Sequence, residues 1–134
     1  MHLTNNAIQK NSPEYGAHED GNILSFADFK RYIQKSGAKV DFEVDIVQKM
    51  KYLCALTMNT IKKKINANRR KHCFELFGFD YFIDSDYNVF LIEVNTNPCL
   101  EESSRLLSKL FPRLIDDLLR LTIDQIYLPT KDVM

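Results

Sequence analysis

The sequence is short of most features that would announce a chemistry. It has no net charge, with 18 Lys and Arg against 18 Asp and Glu. No global field therefore draws it to nucleic acid or to an anionic membrane, and a charged partner has to meet a local patch. No apolar run approaches the ~20 residues that cross a bilayer, and the opening MHLTNNAIQK lacks the apolar stretch of a signal peptide, which implies a cytoplasmic protein without a membrane span. Cys54, Cys73 and Cys99 are odd in number, far apart and free of CxxC spacing. They read as buried free thiols in a reducing compartment, not as disulfides or zinc ligands. His18 and His72 stand at no ligand-like distance from each other or from a cysteine. G-x-G-x-x-G, Walker, G-x-S-x-G, H-E-x-x-H and EF-hand patterns are all absent, and there is no internal repeat.

What is present is the composition of an ordinary globular domain, 134 residues at 45% hydrophobic and 27% charged, for which a single core is expected. Residues 1–24 are polar, rich in turn-forming types and without a sustained period, so they read as a mostly irregular segment. Ser25 with Asp28 three residues later is a helix start signal, Phe26, Phe29 and Ile33 make an apolar face, and Gly37 ends the element. From Asp41 to about Asn66, the residues Ile46, Val47, Met50, Leu53, Cys54, Met58, Ile61 and Ile65 recur at spacings of three and four, which predicts a long amphipathic helix. The period then becomes that of strands over 72–84 and 88–95, around the turn-rich DSDYN. Helical spacing returns at Leu106, Leu107 and Leu110, restarts at Pro112, continues through Ile123 and Ile126, and is closed by Pro129. The fold class implied is α+β, an antiparallel hairpin packed against amphipathic helices.

The second strand poses the question of function. FLIEVNTNP begins as an apolar strand and then places Glu93 and Asn95, while FELFGFDYFID upstream is interrupted in the same way at Asp80. A turn centred on Asp86 and Tyr87 would set Gly78 against Asn95, Asp80 against Glu93 and Phe82 against Leu91. The opposite surface would carry Phe79 with Val94, Tyr81 with Ile92 and Ile83 with Phe90. That register makes one face wholly apolar and gathers Asp80, Glu93 and Asn95 on the other. Opposed carboxylates repel, so the pair needs solvent, a proton or a cation. Two carboxylates and an amide oxygen are hard donors that suit Mg²⁺, which takes its remaining ligands from water and phosphates. A solvated polar face is the competing reading of the same pattern.

FGFDYFIDSDYNVFLIEVNTNP, together with HLTNNAIQK at residues 2–10, resembles two signature segments of the tubulin tyrosine ligase and ligase-like family. Its members are ATP-grasp enzymes that join an amino acid to a protein carboxyl group. The resemblance covers nearly the whole chain and implies that residues 1–134 form the C-terminal part of an ATP-grasp domain. Residues 1–24 would then be a nucleotide-site segment and 72–95 a metal-binding hairpin. It further implies Asp80, Glu93 and Asn95 as Mg²⁺ ligands, and His2, Leu3, Thr4, Asn5 and Ile92 as residues along ATP. The implied reaction makes an acylphosphate of the acceptor carboxylate, which the amine of a free amino acid then attacks. Members of the family have earlier segments that hold phosphates and acceptor, so this chain is expected not to ligate alone. NTNPCLEES departs from the ending associated with polyglutamylating members, which leans toward tyrosine as the added amino acid.

Tubulin is the partner the resemblance implies, with microtubules or cilia as the place of action. Lys62, Lys63, Lys64, Arg69, Arg70 and Lys71 form a basic stretch that could meet its acidic tail. The plainer account is a solvated helix end, where cations also favour the helix dipole. The alternative to an enzyme is an inactive module that binds tubulin or nucleotide without chemistry.

Overall fold

The computed structural model describes residues 6–127, and helices and a two-stranded antiparallel sheet make up the fold, as an α+β chain requires. Where one core was expected there are two compact units, one built from the chain up to Phe29 and from Leu100 onward, the other from Lys30–Cys99. Among the described residues, no helix is long and apolar enough to cross a membrane.

In the first unit, the segment that reads as irregular holds a short helix α1 (Asn6–Gln9) and a single 3-10 turn at Asp20–Asn22. Side chains fix it in place of a regular ladder. The Tyr15 hydroxyl donates to Asn6 Oδ1 at 2.8 Å, and the Gly16 amide to Asn22 Oδ1 at 2.8 Å. Gly21 sits at φ 65°, and a Cβ there would lie 3.2 Å from both Ser103 O and Ser104 Cβ, so this position needs glycine twice over. Asp20 Oδ2 accepts from the Arg105 amide at 2.8 Å, and Ser104 Oγ from the Leu107 amide at 3.3 Å. These bonds satisfy orphan N–H groups at the start of α4 (Arg105–Thr122).

Helix α4 does not restart at Pro112 but runs through it. Leu106, Leu107, Phe111, Leu114, Ile115 and Leu118 form one half-buried stripe in phase on both sides of the proline. Keeping that stripe together outweighs the hydrogen bond proline cannot make. The regular helix ends at Thr122, and Ile123 and Ile126 lie in turns beyond it, both exposed. Pro129 lies outside the described residues.

Helix α2 (Phe26–Ser36) begins where the Ser25 and Asp28 pair indicates, with the Asp28 amide donating to Ser25 Oγ at 3.1 Å, and stops before Gly37 at φ 75°. In the second unit, Asp41 caps a π-helical turn, Phe42–Val47, by accepting from the Glu43 and Val44 amides at 2.9 Å each. That turn leads into α3 (Gln48–Ile65). Val47, Met50, Leu53, Cys54, Met58 and Ile61 form the half-buried side of the helix, while Ile65 is exposed at its end. Among the described residues, Ile33, Phe42, Ile46 and Val89 are the buried large apolar ones. The thiols are free, but they are not the buried groups their spacing suggests: Cys54 is half-buried and Cys73 and Cys99 are exposed.

Strands β1 (Gly78–Ile83) and β2 (Val89–Asn95) pair antiparallel. Residues 72–77 carry strand-like alternation without being a strand, because β2 ends at Asn95 and leaves nothing opposite them. The register follows expectation only at the open end, where Gly78 pairs with Asn95, Phe79 with Val94 and Asp80 with Glu93. A bulge then makes Ile92 the extra residue, and the remaining pairs become Tyr81 with Leu91, Phe82 with Phe90 and Ile83 with Val89. Packing supplies the reason. The Tyr81 hydroxyl donates to the Met50 carbonyl of α3 at 2.9 Å, and the Phe79 and Tyr81 rings stack with centroids 6.3 Å apart, so Phe79, Tyr81 and Ile83 line the inner face. Burial, and secondarily Cys54, raises the Tyr81 phenol above its ordinary 10.0, keeping it a donor at neutral pH. The bulge brings Leu91 and Val89 to that inner face and turns Ile92 and Phe90 outward, at 63% and 52% exposure. Leu91→Ala is therefore expected to cost about 2 kcal/mol and Ile92→Ala under ~0.5 kcal/mol in chemical denaturation. The unbulged register requires the opposite order.

Asp84 closes the hairpin turn. Its Oδ1 accepts from the Asp86 and Asn88 amides at 2.9 and 2.8 Å, and its Oδ2 from Asn88 Nδ2 at 2.9 Å. These bonds, that of the Asn88 side chain first, hold the Asp84 carboxyl below its ordinary 3.8. A depressed folded value means stabilisation that is complete above 3.8 and lost as pH falls through the lower folded value. The Asn88 side-chain amide signals should accordingly titrate with a midpoint below 3.8 in the folded protein, and Asp84→Asn should abolish that titration.

Candidate metal centre

The bulge leaves the polar end of the hairpin untouched, and the candidate ligands come together there. β1 supplies Asp80, and β2 supplies Glu93, directly opposite it, and Asn95 two residues on. Asn95 Nδ2 lies 3.1 Å from Asp80 Oδ2 and 3.3 Å from Glu93 Oε1, so three side chains on one face share a single point. Both carboxylates are exposed and Asn95 is half-buried. Gly78, the partner of Asn95, makes room for this, because a Cβ there would lie 3.1 Å from Pro98 Cβ and 3.7 Å from Asn95 Cβ. Its signal in the sequence is a glycine inside a strand, which marks close approach of a neighbour.

The Asn95 amide stands between the carboxylates as a neutral donor, offsetting the repulsion that a cation would remove altogether. Turning the amide plane over brings Oδ1 to the same point, and the set becomes three hard oxygens. That set fits Mg²⁺, and its open outer side admits the water and phosphate oxygens that Mg²⁺ keeps as ligands. It does not fit zinc. Among the described residues, no group of three or more His, Cys, Asp or Glu gathers anywhere, so no all-protein cage competes with it.

Of the residues expected along a nucleotide, Ile92 is the bulged residue beside Glu93 and projects into solvent. His2, Leu3, Thr4 and Asn5 lie outside the described residues. The six residues Lys62, Lys63, Lys64, Arg69, Arg70 and Lys71 are all exposed, at the end of α3 and in the loop after it. A concavity of about 790 Å³, lined by Val40, Asp45, Lys49, Leu53 and residues 86–91, lies at the turn end of the hairpin and includes none of the trio. Within it Asp45 Oδ2 accepts from the Asp41 amide, and the Asn88 side chain is bound to Asp84. The candidate ligands stand apart from this concavity, at the other end of the hairpin.

The family model described as the tubulin-tyrosine ligase family matches residues 1–133 of the chain. The chain belongs to the tubulin-tyrosine ligase family. Among the family's curated proteins it is 30% identical over 124 residues to Tubulin glycylase 3B of Tetrahymena thermophila, covering 92% of this chain and 10% of that protein. It is 33% identical over 121 residues to Probable tubulin polyglutamylase TTLL9 of Bos taurus, covering 90% of this chain and 25% of that protein. With human Protein monoglycylase TTLL8 the identity is 29% over 132 residues, covering 93% and 15%. The chain thus spans about a tenth to a quarter of the length of these relatives.

Proposed function

We propose that this chain supplies the metal- and nucleotide-holding hairpin of an ATP-dependent ligase of the ATP-grasp type, which joins an amino acid to a carboxylate of tubulin. The observation that carries the reading is the meeting of Asp80, Glu93 and Asn95 at one exposed point. The reaction transfers the terminal phosphoryl group of ATP to the acceptor carboxylate, giving an acylphosphate and ADP, and the amine of a free amino acid then displaces phosphate, with loss of a proton, to give an amide. Mg²⁺, when bound, offsets the charge that develops on the phosphates. Asp80 and Glu93 would hold the cation and take no proton. Asn95 completes the set by presenting its carbonyl oxygen, and Ile92, turned outward by the bulge, offers an apolar contact to the nucleotide beside them. His2, Leu3, Thr4 and Asn5 belong to the same nucleotide site in this reading. The names of the relatives, glycylases and polyglutamylases, favour glycine or glutamate over tyrosine as the added amino acid. Tubulin as the acceptor places the work in the cytoplasm, at microtubules or cilia.

Calorimetric titration with ATP tests the site. Binding should require Mg²⁺ and disappear on chelation. Equal nucleotide binding with and without the metal would overturn the role given to the trio. A module that docks on an acidic partner without nucleotide is the second reading, favoured by the six exposed cations after α3. It calls for no metal-dependent ATP binding at all.

A further inference from the structure

The concavity of about 790 Å³ at the turn end of the hairpin has a size ordinary for a small-molecule site and a lining of two kinds. Asp45, Lys49 and Asp86 are exposed and form a charged mouth, while Leu53 and Leu91 are half-buried and Val89 is buried, which gives an apolar floor. Asp45, Lys49 and Leu53 follow one another at intervals of four along one side of the helical segment, so an anion, a cation and an apolar group succeed one another on that wall. On the facing wall the turn supplies Asp86, and β2 supplies Val89 and Leu91, which the bulge turns toward α3. Both walls are braced. Tyr87 holds a left-handed φ of 64°, rare in a residue with a side chain, and its hydroxyl lies 3.2 Å from Ser36 Oγ. The Asp86 amide is tied back to Asp84 at 2.9 Å, and Asp45 Oδ2 accepts from the Asp41 amide at 2.8 Å. The charges of the mouth are nevertheless uncompensated. Among the described residues none of Asp45, Lys49 and Asp86 takes part in an ion pair, and the Lys49 ammonium stands 5.5 Å from the centroid of the Tyr52 ring.

We infer that this cavity is a binding site for a free α-amino acid with a bulky apolar side chain. Charge complementarity selects the class. A simple anion drawn to Lys49 would meet Asp45 and Asp86, and a simple cation drawn to the acids would meet Lys49. An α-amino acid carries an ammonium and a carboxylate on one carbon and satisfies both signs at the mouth through charge-assisted hydrogen bonds, while its side chain descends onto Leu53, Val89 and Leu91. The braced walls lower the ordering cost of binding. The site is additional to the ligase reading and does not rest on it. The cavity includes none of Asp80, Glu93 and Asn95, and Val89 and Leu91 face α3 while the two acids are exposed on the other side of the hairpin. An amino acid seated there is therefore not placed to attack an acylphosphate at the metal. It bridges α3 and the hairpin instead, so its binding should make the second unit more resistant to unfolding.

Calorimetric titration with leucine tests the site, with excess EDTA present so that no divalent metal takes part. Saturable binding is expected, with a dissociation constant on the order of 1 mM. Leucinamide lacks the carboxylate, N-acetylleucine lacks the ammonium and glycine lacks the side chain, and each should bind roughly fivefold more weakly or worse. Lys49→Gln should remove the preference for leucine over leucinamide, and Asp86→Asn should narrow the preference for leucine over N-acetylleucine. Both residues are exposed, and circular dichroism checks that the variants stay folded. Lys51→Gln, on the same helix but outside the cavity, should change nothing. Leucine should also raise the melting temperature of the wild type more than that of Lys49→Gln. Absence of saturable leucine binding overturns the proposal, as do wild-type preferences in a folded Lys49→Gln or Asp86→Asn. Glycine binding as tightly as leucine removes the role of the floor and also overturns it. Tighter binding of leucinamide would assign the cavity to cations, tighter binding of N-acetylleucine would assign it to anions, and either result overturns the amino-acid assignment. Because chelator is present throughout, the outcome is independent of the Mg²⁺-dependent ATP titration, and failure of one site is distinguishable from failure of the other.

Discussion

Asp80→Asn and Glu93→Gln are each expected to lower metal-dependent affinity for ATP by about 100-fold or more, roughly 2.7 kcal/mol, and Asp80→Ala with Glu93→Ala together to abolish it. The isosteric amides keep an oxygen in place and remove only charge, which is what a doubly charged hard cation is held by. The same substitutions should act on the metal-free fold with the opposite sign. Asp80 and Glu93 are Cα partners in the ladder, and relieving repulsion between directly opposed like charges is worth ~0.2–1 kcal/mol. The variants should therefore lose nucleotide and, without metal, melt at the same temperature or slightly higher. Calorimetry and thermal denaturation on the same samples read both. Wild-type affinity for Mg·ATP in the doubly substituted protein would end the metal assignment, and a large loss of stability would show that the acids serve the fold instead.

Ile46→Ala is expected to be the most damaging single truncation for stability, at about 3 kcal/mol and a fall of roughly 10 °C in melting temperature. Ile46 is 0% exposed, and the unit it belongs to counts only Ile33, Phe42 and Val89 as its other buried apolar residues. With so few buried side chains, one missing branch leaves a cavity that neighbours have little freedom to fill, against a total stability of only ~5–15 kcal/mol for a typical domain. Leu121→Ala, at 76% exposure, provides the contrast and should stay within about 0.5 kcal/mol of wild type. Urea denaturation followed by circular dichroism compares them directly, and similar midpoints for Ile46→Ala and Leu121→Ala would dismiss this account of the core.

Elements governed by local chemistry were legible from residue order. The Ser25 and Asp28 start of α2, the stripe of α3 and the turn after Asp84 each depend on neighbours within a few positions, and each stands close to where the pattern puts it. Family membership was legible too, from the segments around Asp80 and Glu93. Errors arose where distant packing decides. The apolar stripe of α4 carries the helix across Pro112, although the residue type argues for a break. Residues 72–77 alternate like a strand and have no strand beside them. The loop after α3 is another case: Asn66 Oδ1 accepts from the Arg70 amide and Asn66 Nδ2 donates to the Arg70 carbonyl, at 2.8 Å each, and one asparagine near a helix end gives no hint of that in the sequence.

Sequence alone determined that Asp80, Glu93 and Asn95 share a face, because alternation along each strand and a short turn between them leave little freedom at that end of the hairpin. Only the tertiary structure decided what lies on that face beside them. Docking of Tyr81 on the Met50 carbonyl accompanies the bulge that exchanges Leu91 for Ile92, and that contact joins residues 31 positions apart. Periodicity is written in adjacent residues, whereas a one-residue slip is chosen by whichever register buries the better side chains against another element.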